Sequence, residues 1–308
     1  AYDKFFNRVI FPIMDVNSRV IGFGGRVMGE GEPKYLNSPE TRLFDKSRNL
    51  FGLCYAKKSR KKYFILCEGY MDVISMHQAG FTNAVASLGT ALTEEQCRLL
   101  KRYVGEILLT YDSDGAGIKA AKRAMPMLKA VGIQSKVINM KPYKDPDEFI
   151  KTLGQEAFQE RIDQAQNSFL WLIDVMKLDY DLKDPAGMTA YTNAAAEKLS
   201  EIPEAIEREN YIQAVAREQM IDVNALRRLV NTVGEQRARR NSPLNEKVYP
   251  STTFMPRTNP KKKVETALQK SEKQLVTWLS EKPELIPTVQ KYIQPADISD
   301  ETVRTVLE

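Results

Sequence analysis

The sequence has a single histidine and three cysteines in 308 residues. His77 falls in a stretch patterned as helix, Met71 to Ala79, so it reads as structural, and chemistry built on a histidine base is disfavoured. Cys54, Cys67 and Cys97 are widely spaced, odd in number and form no Cys-x-x-Cys pair. That argues against a zinc ribbon or a disulfide framework and fits a reducing compartment. No stretch is long and apolar enough to span a bilayer, and no signal peptide is visible, so no membrane partner is expected. The opening Ala-Tyr-Asp-Lys has no Met and runs almost directly into a strand pattern, which reads as a fragment of something larger. Hydrophobic residues are not scarce: 43% is enough for real cores and argues against wholesale disorder.

Charge is modest in total and uneven in placement. The net charge is +5, yet residues 1–62 carry 13 basic and 6 acidic side chains, and residues 63–150 carry 10 of each. A basic N-terminal part beside a carboxylate cluster suits a polyanionic substrate handled through metal ions.

The centre of the chain is Leu109-Thr-Tyr-Asp112-Ser-Asp114-Gly-Ala-Gly117. An apolar run ending in Asp-x-Asp-Gly before a helical pattern predicts a buried parallel strand with charge at its carboxyl end. Two carboxylates aimed at one point repel unless a proton or a hard cation such as Mg²⁺ joins them. On this stretch alone, a solvated Asp-Ser-Asp-Gly turn stays open. Two more strand patterns end in acid: Tyr63 to Cys67 runs into Glu68, and Gln134 to Met140 runs towards Asp145 and Asp147. Short strands separated by helical patterns predict right-handed crossovers and a parallel sheet, with ligands beyond the carboxyl ends. Three acidic strand ends in one sheet would be an electrostatic liability without metal.

Around this core, Val9 to Asp15 and Val20 to Met28 predict a hairpin turning at Asp15 to Arg19. Gly22, Gly24 and Gly25 would let a backbone or ligand come close. Lys34, Tyr35 and Asn37, followed by Lys46, mix cations with an aromatic and an amide that could hold phosphate, sugar and base; a solvated basic loop is the alternative. Lys57 to Lys62 is a dense basic run that reads as a solvated connector. Thr93-Glu-Glu-Gln96 is a capping box opening a helix. A helix over Ile118 to Ala130 should bend or end at Pro126. From about Phe149 the pattern turns helical, with continuous periodicity from Gln155 to Leu178 and further amphipathic segments to Val230. The expected domains are a basic mixed part at 1–62, a metal-binding part at 63–150, a helical bundle at 151–235, a basic Pro-containing linker at 236–263 and the start of another unit at 264–308.

These motifs together resemble one family. Glu68-Gly-Tyr-Met-Asp72, Asp112-Ser-Asp114-Gly and Asp145-Pro-Asp147-Glu148 are similar to the glutamate-plus-DxD signature of the toprim fold. Gly22-Phe-Gly-Gly-Arg26, Lys34-Tyr-Leu-Asn37-Ser-Pro-Glu-Thr41 and Ala84-Val-Ala-Ser-Leu-Gly-Thr90 look like the RNA polymerase domain of bacterial DNA primases of the DnaG type. The resemblance covers roughly residues 1–235, and 264–308 is similar to the beginning of a helicase-binding domain. It implies an α/β toprim core, a parallel sheet flanked by helices, with an N-terminal α+β part and a C-terminal helical bundle. It implies a cytoplasmic nucleotidyltransferase that joins ribonucleoside triphosphates into short primers on single-stranded DNA at the bacterial replication fork, with a replicative helicase as partner. Glu68, Asp72, Asp112, Asp114, Asp145 and Asp147 would hold two or more Mg²⁺ or Mn²⁺ ions. Glu68, Asp112 and Asp114 would be catalytic, with Glu68 the candidate base. Arg26, Lys34, Tyr35, Asn37 and Lys46 match the family's nucleotide- and template-contacting ridge, which ppGpp-type inhibitors would share. The family's zinc ribbon has no counterpart here, so zinc is not expected. The rival readings are another toprim nuclease or topoisomerase, a haloacid-dehalogenase-like phosphatase with Asp112 as nucleophile, and a non-enzymatic helicase-docking module.

Overall fold

The computed structural model describes residues 3–111 and 115–241, and in the C-terminal part residues 275, 279, 286–289 and 292–293. Two compact units divide the chain, Ala1–Asn245 and Glu246–Glu308.

The first unit opens with the expected hairpin, β1 (Arg8–Met14) paired antiparallel with β2 (Val20–Val27). Asp15 makes its turn: the carboxylate accepts the N–H groups of Asn17 and Arg19 at 2.8 and 2.9 Å. A third strand, β3 (Tyr35–Asn37), adds to β2 and sets Tyr35 opposite Arg26. A 3-10 turn at Lys46–Arg48 and the short helix α1 (Leu53–Ala56) then lead into the main sheet.

That sheet is built from β4 (Tyr63–Cys67), α2 (Tyr70–Gln78), β5 (Ala84–Ala86), α3 (Glu94–Lys101), β6 (Glu106–Thr110), α4 (Gly115–Ala130), β7 (Gln134–Val137), α5 (Pro146–Asp163) and β8 (Gln166–Asn167). The strand order is β5-β4-β6-β7-β8. β5, β4, β6 and β7 run parallel as expected, and β8 closes the edge antiparallel. The chain leaves β4 towards β5 and then returns to its other side as β6. The switch point therefore lies between β4 and β6, where carboxyl ends of a parallel sheet open a crevice. Both faces are covered, which is why these strands read as unbroken apolar runs. Phe64, Leu66, Ile107 and Leu109 face a core with Leu100 and Leu128, while Ile65, Cys67 and Leu108 face Val73, Met76, Phe149 and Phe158. Beyond β8, α6 (Ser168–Met176), α7 (Pro185–Ser200), α8 (Ala205–Glu218) and α9 (Val223–Asn241) bury a separate core around Ile173, Tyr191, Leu199, Ile212 and Leu226. No described helix is long and apolar enough to cross a membrane.

The structure departs from the sequence reading in four places. α4 runs through Pro126 instead of ending there. Pro126 is on the exposed side of the helix, where water can hydrate the carbonyl it leaves without a donor. The periodic stretch from Gln155 to Leu178 is not one helix: α5 ends at Asp163, β8 joins the sheet, and the Asn167 side chain accepts the N–H groups of Phe169 and Leu170 to start α6. β7 stops at Val137, short of Met140. α9 continues to Asn241, six residues into the expected linker, and Arg237 pairs with Glu201 at 3.3 Å. The rest of that linker lies outside the described residues. So does most of 264–308, of which a helical turn, Ile286–Val289, and a buried Leu279 are described.

The Thr93 capping box forms, and it does more than start α3. Thr93 Oγ1 accepts the Gln96 N–H at 3.1 Å and Gln96 Oε1 accepts the Thr93 N–H at 3.0 Å. The Gln96 amide also donates to the carbonyls of Lys46 and Asn49 at 2.9 and 2.8 Å, and Thr93 donates to Ser47 O at 2.6 Å. A fully buried Gln96 thus ties the N-terminal part to the main sheet. Gln96→Ala removes the box and leaves two part-buried carbonyls without their partner, so unfolding in urea should show a loss of about 1–3 kcal/mol.

Candidate active site

A cleft of about 390 Å³ opens at the switch point. Glu68, Gly69 and Asp72 line it from the turn after β4 and the start of α2, Ser87 and Gly89 from beyond β5, and Lys144, Asp145 and Asp147 from the entry to α5. Arg26, Lys34, Tyr35 and Asn37 line the facing wall, from β2, β3 and the loop between them. The structure therefore brings together four of the six expected acids and four of the five expected ridge residues. Asp112 and Asp114 lie outside the described residues. Lys46 does not line the cleft, and its carbonyl is held by Gln96.

Two helix starts place the acids. Asp72 reaches back over the first turn of α2 to accept the Gly69 N–H at 3.0 Å. Asp145 caps α5 by accepting the Glu148 N–H at 2.8 Å, with Pro146 pre-set in the first helical position. Asp147 accepts a hydrogen bond from Lys151, one turn on, at 2.6 Å. Both helix N-termini carry partial positive charge, which makes a concentration of carboxylates tolerable here. Burial alone would raise the Asp147 carboxyl. The hydrogen bonds from Lys151 and Ser75, with the charges of Lys151 and Arg26, outweigh it and hold the group below the usual carboxylate range.

The opposite wall answers these charges. Arg26 lies over the Tyr35 ring, 5.9 Å from its centroid. Burial raises the Tyr35 phenol, Arg26 pulls it down, and Asp72, Asp147 and Asp145 push it up, so this ring stands between cation and carboxylates. Beneath Tyr35 a rigid bridge joins the two walls. Tyr70 donates to Asn37 Oδ1 at 2.6 Å, and Asn37 donates to Leu88 O at 2.9 Å. The Tyr70 phenol is pushed up to about 12, chiefly by burial. Gly24 makes room for that ring: a Cβ there would lie 2.5 Å from Tyr70 Cε2. Gly22 and Gly25 likewise admit Phe44 and Phe5, so the glycine-rich strand accommodates side chains of this chain rather than a backbone or a ligand.

The charge of Glu68 is felt at the end of β6. Burial raises the phenol of Tyr111, the residue before Asp112, and the Glu68 charge raises it further. Below them Thr110 donates to Leu66 O at 3.2 Å, locking the two strand ends. Among the described residues no group of three or more His, Cys, Asp or Glu is gathered tightly enough to hold a metal ion. The donors that line the cleft are carboxylate oxygens, the chemistry that suits a hard divalent cation. Sequence reasoning missed Ser87 and Gly89, although both follow a strand at the same edge as Glu68, and it missed Tyr70 because its partner Asn37 is 33 residues away.

An acid-lined cleft at the switch point of this sheet is the architecture of a toprim-like domain, and residues 65–150 match the profile of that description. Residues 1–57 match "DNA primase catalytic core, N-terminal domain", and residues 169–224 match "DnaB-helicase binding domain of primase". The DNA primase of Clostridium acetobutylicum is 36% identical over 99% of this chain and 50% of its own length. A solved DNA primase domain from Pseudomonas aeruginosa, 37% identical, superposes with a TM-score of 0.62 over 75% of this chain and 74% of that one. A DnaG primase catalytic domain bound to single-stranded DNA gives 0.62 at 37% identity, over 73% of each chain. The chain belongs to the bacterial DnaG-type DNA primase family. It spans half or less of the length of the curated relatives it matches. The helicase-binding match falls on α6 to the start of α9, ahead of the 264–308 segment expected for that role.

Tyr70→Phe keeps the ring packing and deletes the bond to Asn37. Urea unfolding should show a loss of about 1–2 kcal/mol, whereas an unchanged midpoint would mean the bridge does not hold the walls together.

Proposed function

We propose that this chain is the catalytic core of a primase, a nucleotidyltransferase that joins ribonucleoside triphosphates on a single-stranded DNA template in the bacterial cytoplasm. The observation that carries the proposal is the single cleft in which Glu68, Asp72, Asp145 and Asp147 face Arg26, Lys34 and Tyr35. One wall suits cations and the other a polyanion, as a triphosphate–metal complex requires.

In this reading Glu68, Asp72, Asp145 and Asp147, with Asp112 and Asp114 from the segment after β6, hold two or more Mg²⁺ or Mn²⁺ ions. Bound divalent ions supply charge stabilisation at the phosphates and lower the pKa of the attacking hydroxyl. Arg26 and Lys34 screen the triphosphate from the opposite wall. Tyr35 offers a face on which a base or sugar can rest. Asn37, with both ends of its amide engaged, holds the ridge in place. Glu68 accepts the proton of the primer 3′-hydroxyl as it attacks the α-phosphate and pyrophosphate leaves. ppGpp-type nucleotides, with their paired phosphates, would compete for the same wall. α6 to the start of α9, with their helicase-binding match, offer the surface for a replicative helicase.

Primer synthesis on a single-stranded template with ribonucleoside triphosphates and Mg²⁺ tests the reading. Glu68→Gln should lower kcat by about 10²–10⁴-fold with an unchanged circular dichroism spectrum. Wild-type rates in that variant would remove Glu68 from the chemistry and with it this account of the cleft.

A further inference from the structure

The basic run Lys57 to Lys62 is not in the cleft. It ends at Tyr63, the first residue of β4, whereas the cleft begins after Cys67 at the other end of that strand. Five residues of strand separate the two by about 16 Å. The run therefore belongs to the amino edge of the sheet and cannot screen a triphosphate bound at the carboxyl edge.

Nor is it a loose connector. Lys57, Lys58 and Ser59 donate their N–H groups to Leu53, Tyr55 and Ala56, and Lys61 donates to Ser59 Oγ at 3.2 Å. These bonds hold the backbone at Lys57, Lys58 and Lys61, and four of the run's five cations, Lys58, Arg60, Lys61 and Lys62, are exposed. Among the described residues none of the five is paired with a carboxylate. Glu106, the register partner of Tyr63, is already paired with Lys136 at 3.4 Å. Exposed Arg102 extends the charge, and the adjoining Tyr103, 39% exposed, is stacked on Phe64. Lys61 lies 5.9 Å from the centre of the Tyr63 ring. Unpaired like charges crowded into six residues repel, and a polyanion relieves that repulsion. Cations beside an exposed aromatic ring, Tyr103, and a half-buried one, Tyr63, fit single-stranded nucleic acid, which offers both phosphates and stacking faces.

We propose that Lys57–Lys62, with Arg102 and Tyr103, forms a second single-stranded nucleic-acid surface on the amino edge of the sheet, separate from the cleft. The proposal rests on the primase reading for the identity of the polyanion.

Fluorescence anisotropy with labelled (dT)30 between 50 and 200 mM salt tests it. Lys58→Gln/Arg60→Gln/Lys61→Gln/Lys62→Gln should bind about tenfold or more weakly, with a log–log salt slope smaller by about 2–3. Arg26→Gln/Lys34→Gln should keep a salt-dependent component that disappears when the two sets are combined. Failure of the cleft chemistry is read from the kcat of Glu68→Gln, and failure of this surface from (dT)30 binding by the fourfold variant, so the two are told apart. Unchanged (dT)30 binding in the fourfold variant would overturn the proposal and make the run a solvated connector. So would an effect seen only on vesicles of phosphatidylcholine with phosphatidylglycerol, which would make it a lipid-facing patch.

Discussion

The parallel register of β4 on β6 sets Cys67 beside Thr110, so whatever follows each strand emerges at the same edge, side by side. Crossovers leave β4 and β6 on opposite sides, and no connection covers the gap between them. Glu68 is the first residue into that gap. The cost is electrostatic: carboxylates from separate segments are brought to one rim, where each raises the others unless something compensates.

Compensation comes from three directions. The N-termini of α2 and α5 point their unsatisfied N–H groups at the rim, and Asp72 and Asp145 each accept one. Lys151 and Arg26 hold Asp147 ionised against its burial. The small antiparallel sheet stands opposite with Arg26, Lys34 and Tyr35, kept at a fixed distance by the Tyr70–Asn37–Leu88 bridge. A ligand with many phosphates and its counter-ions would complete this arrangement, with anion towards one wall and cation towards the other. The run at Lys57–Lys62 shows that the positive charge of the first 62 residues is not one patch: part faces the cleft and part lies at the far edge of the same sheet.

Much of this was legible in the sequence where the cause is local. The Asp15 turn, the Thr93–Gln96 box and the apolar runs of β4 and β6 each follow from residues within a few positions of one another. The acids at strand ends were legible because parallel sheets put their ligands there. What escaped depends on contacts between distant residues. Gly24 reads as room for a ligand until Tyr70, 46 positions later, is seen filling it. Gln96 reads as a helix cap, and its hold on Lys46 and Asn49 is invisible without the fold. The break at Gln164–Asn167 is forced by β8 joining β7, which no periodicity records. The role of Lys46 as a held carbonyl rather than a cleft residue has the same origin.

The central proposal is that Glu68 and Asp72 after β4, Asp112 and Asp114 after β6 and the acids at the entry to α5 hold divalent ions in one shared site. Mn²⁺ binding followed by electron paramagnetic resonance tests it most directly, comparing the unaltered chain with Glu68→Gln and with Asp112→Asn/Asp114→Asn. The account predicts saturable binding in the unaltered chain, weakened at least about tenfold in either variant, since each removes charge from one shared site. Equal binding in all three would contradict it, and would leave Asp72 and Asp145 as helix caps alone.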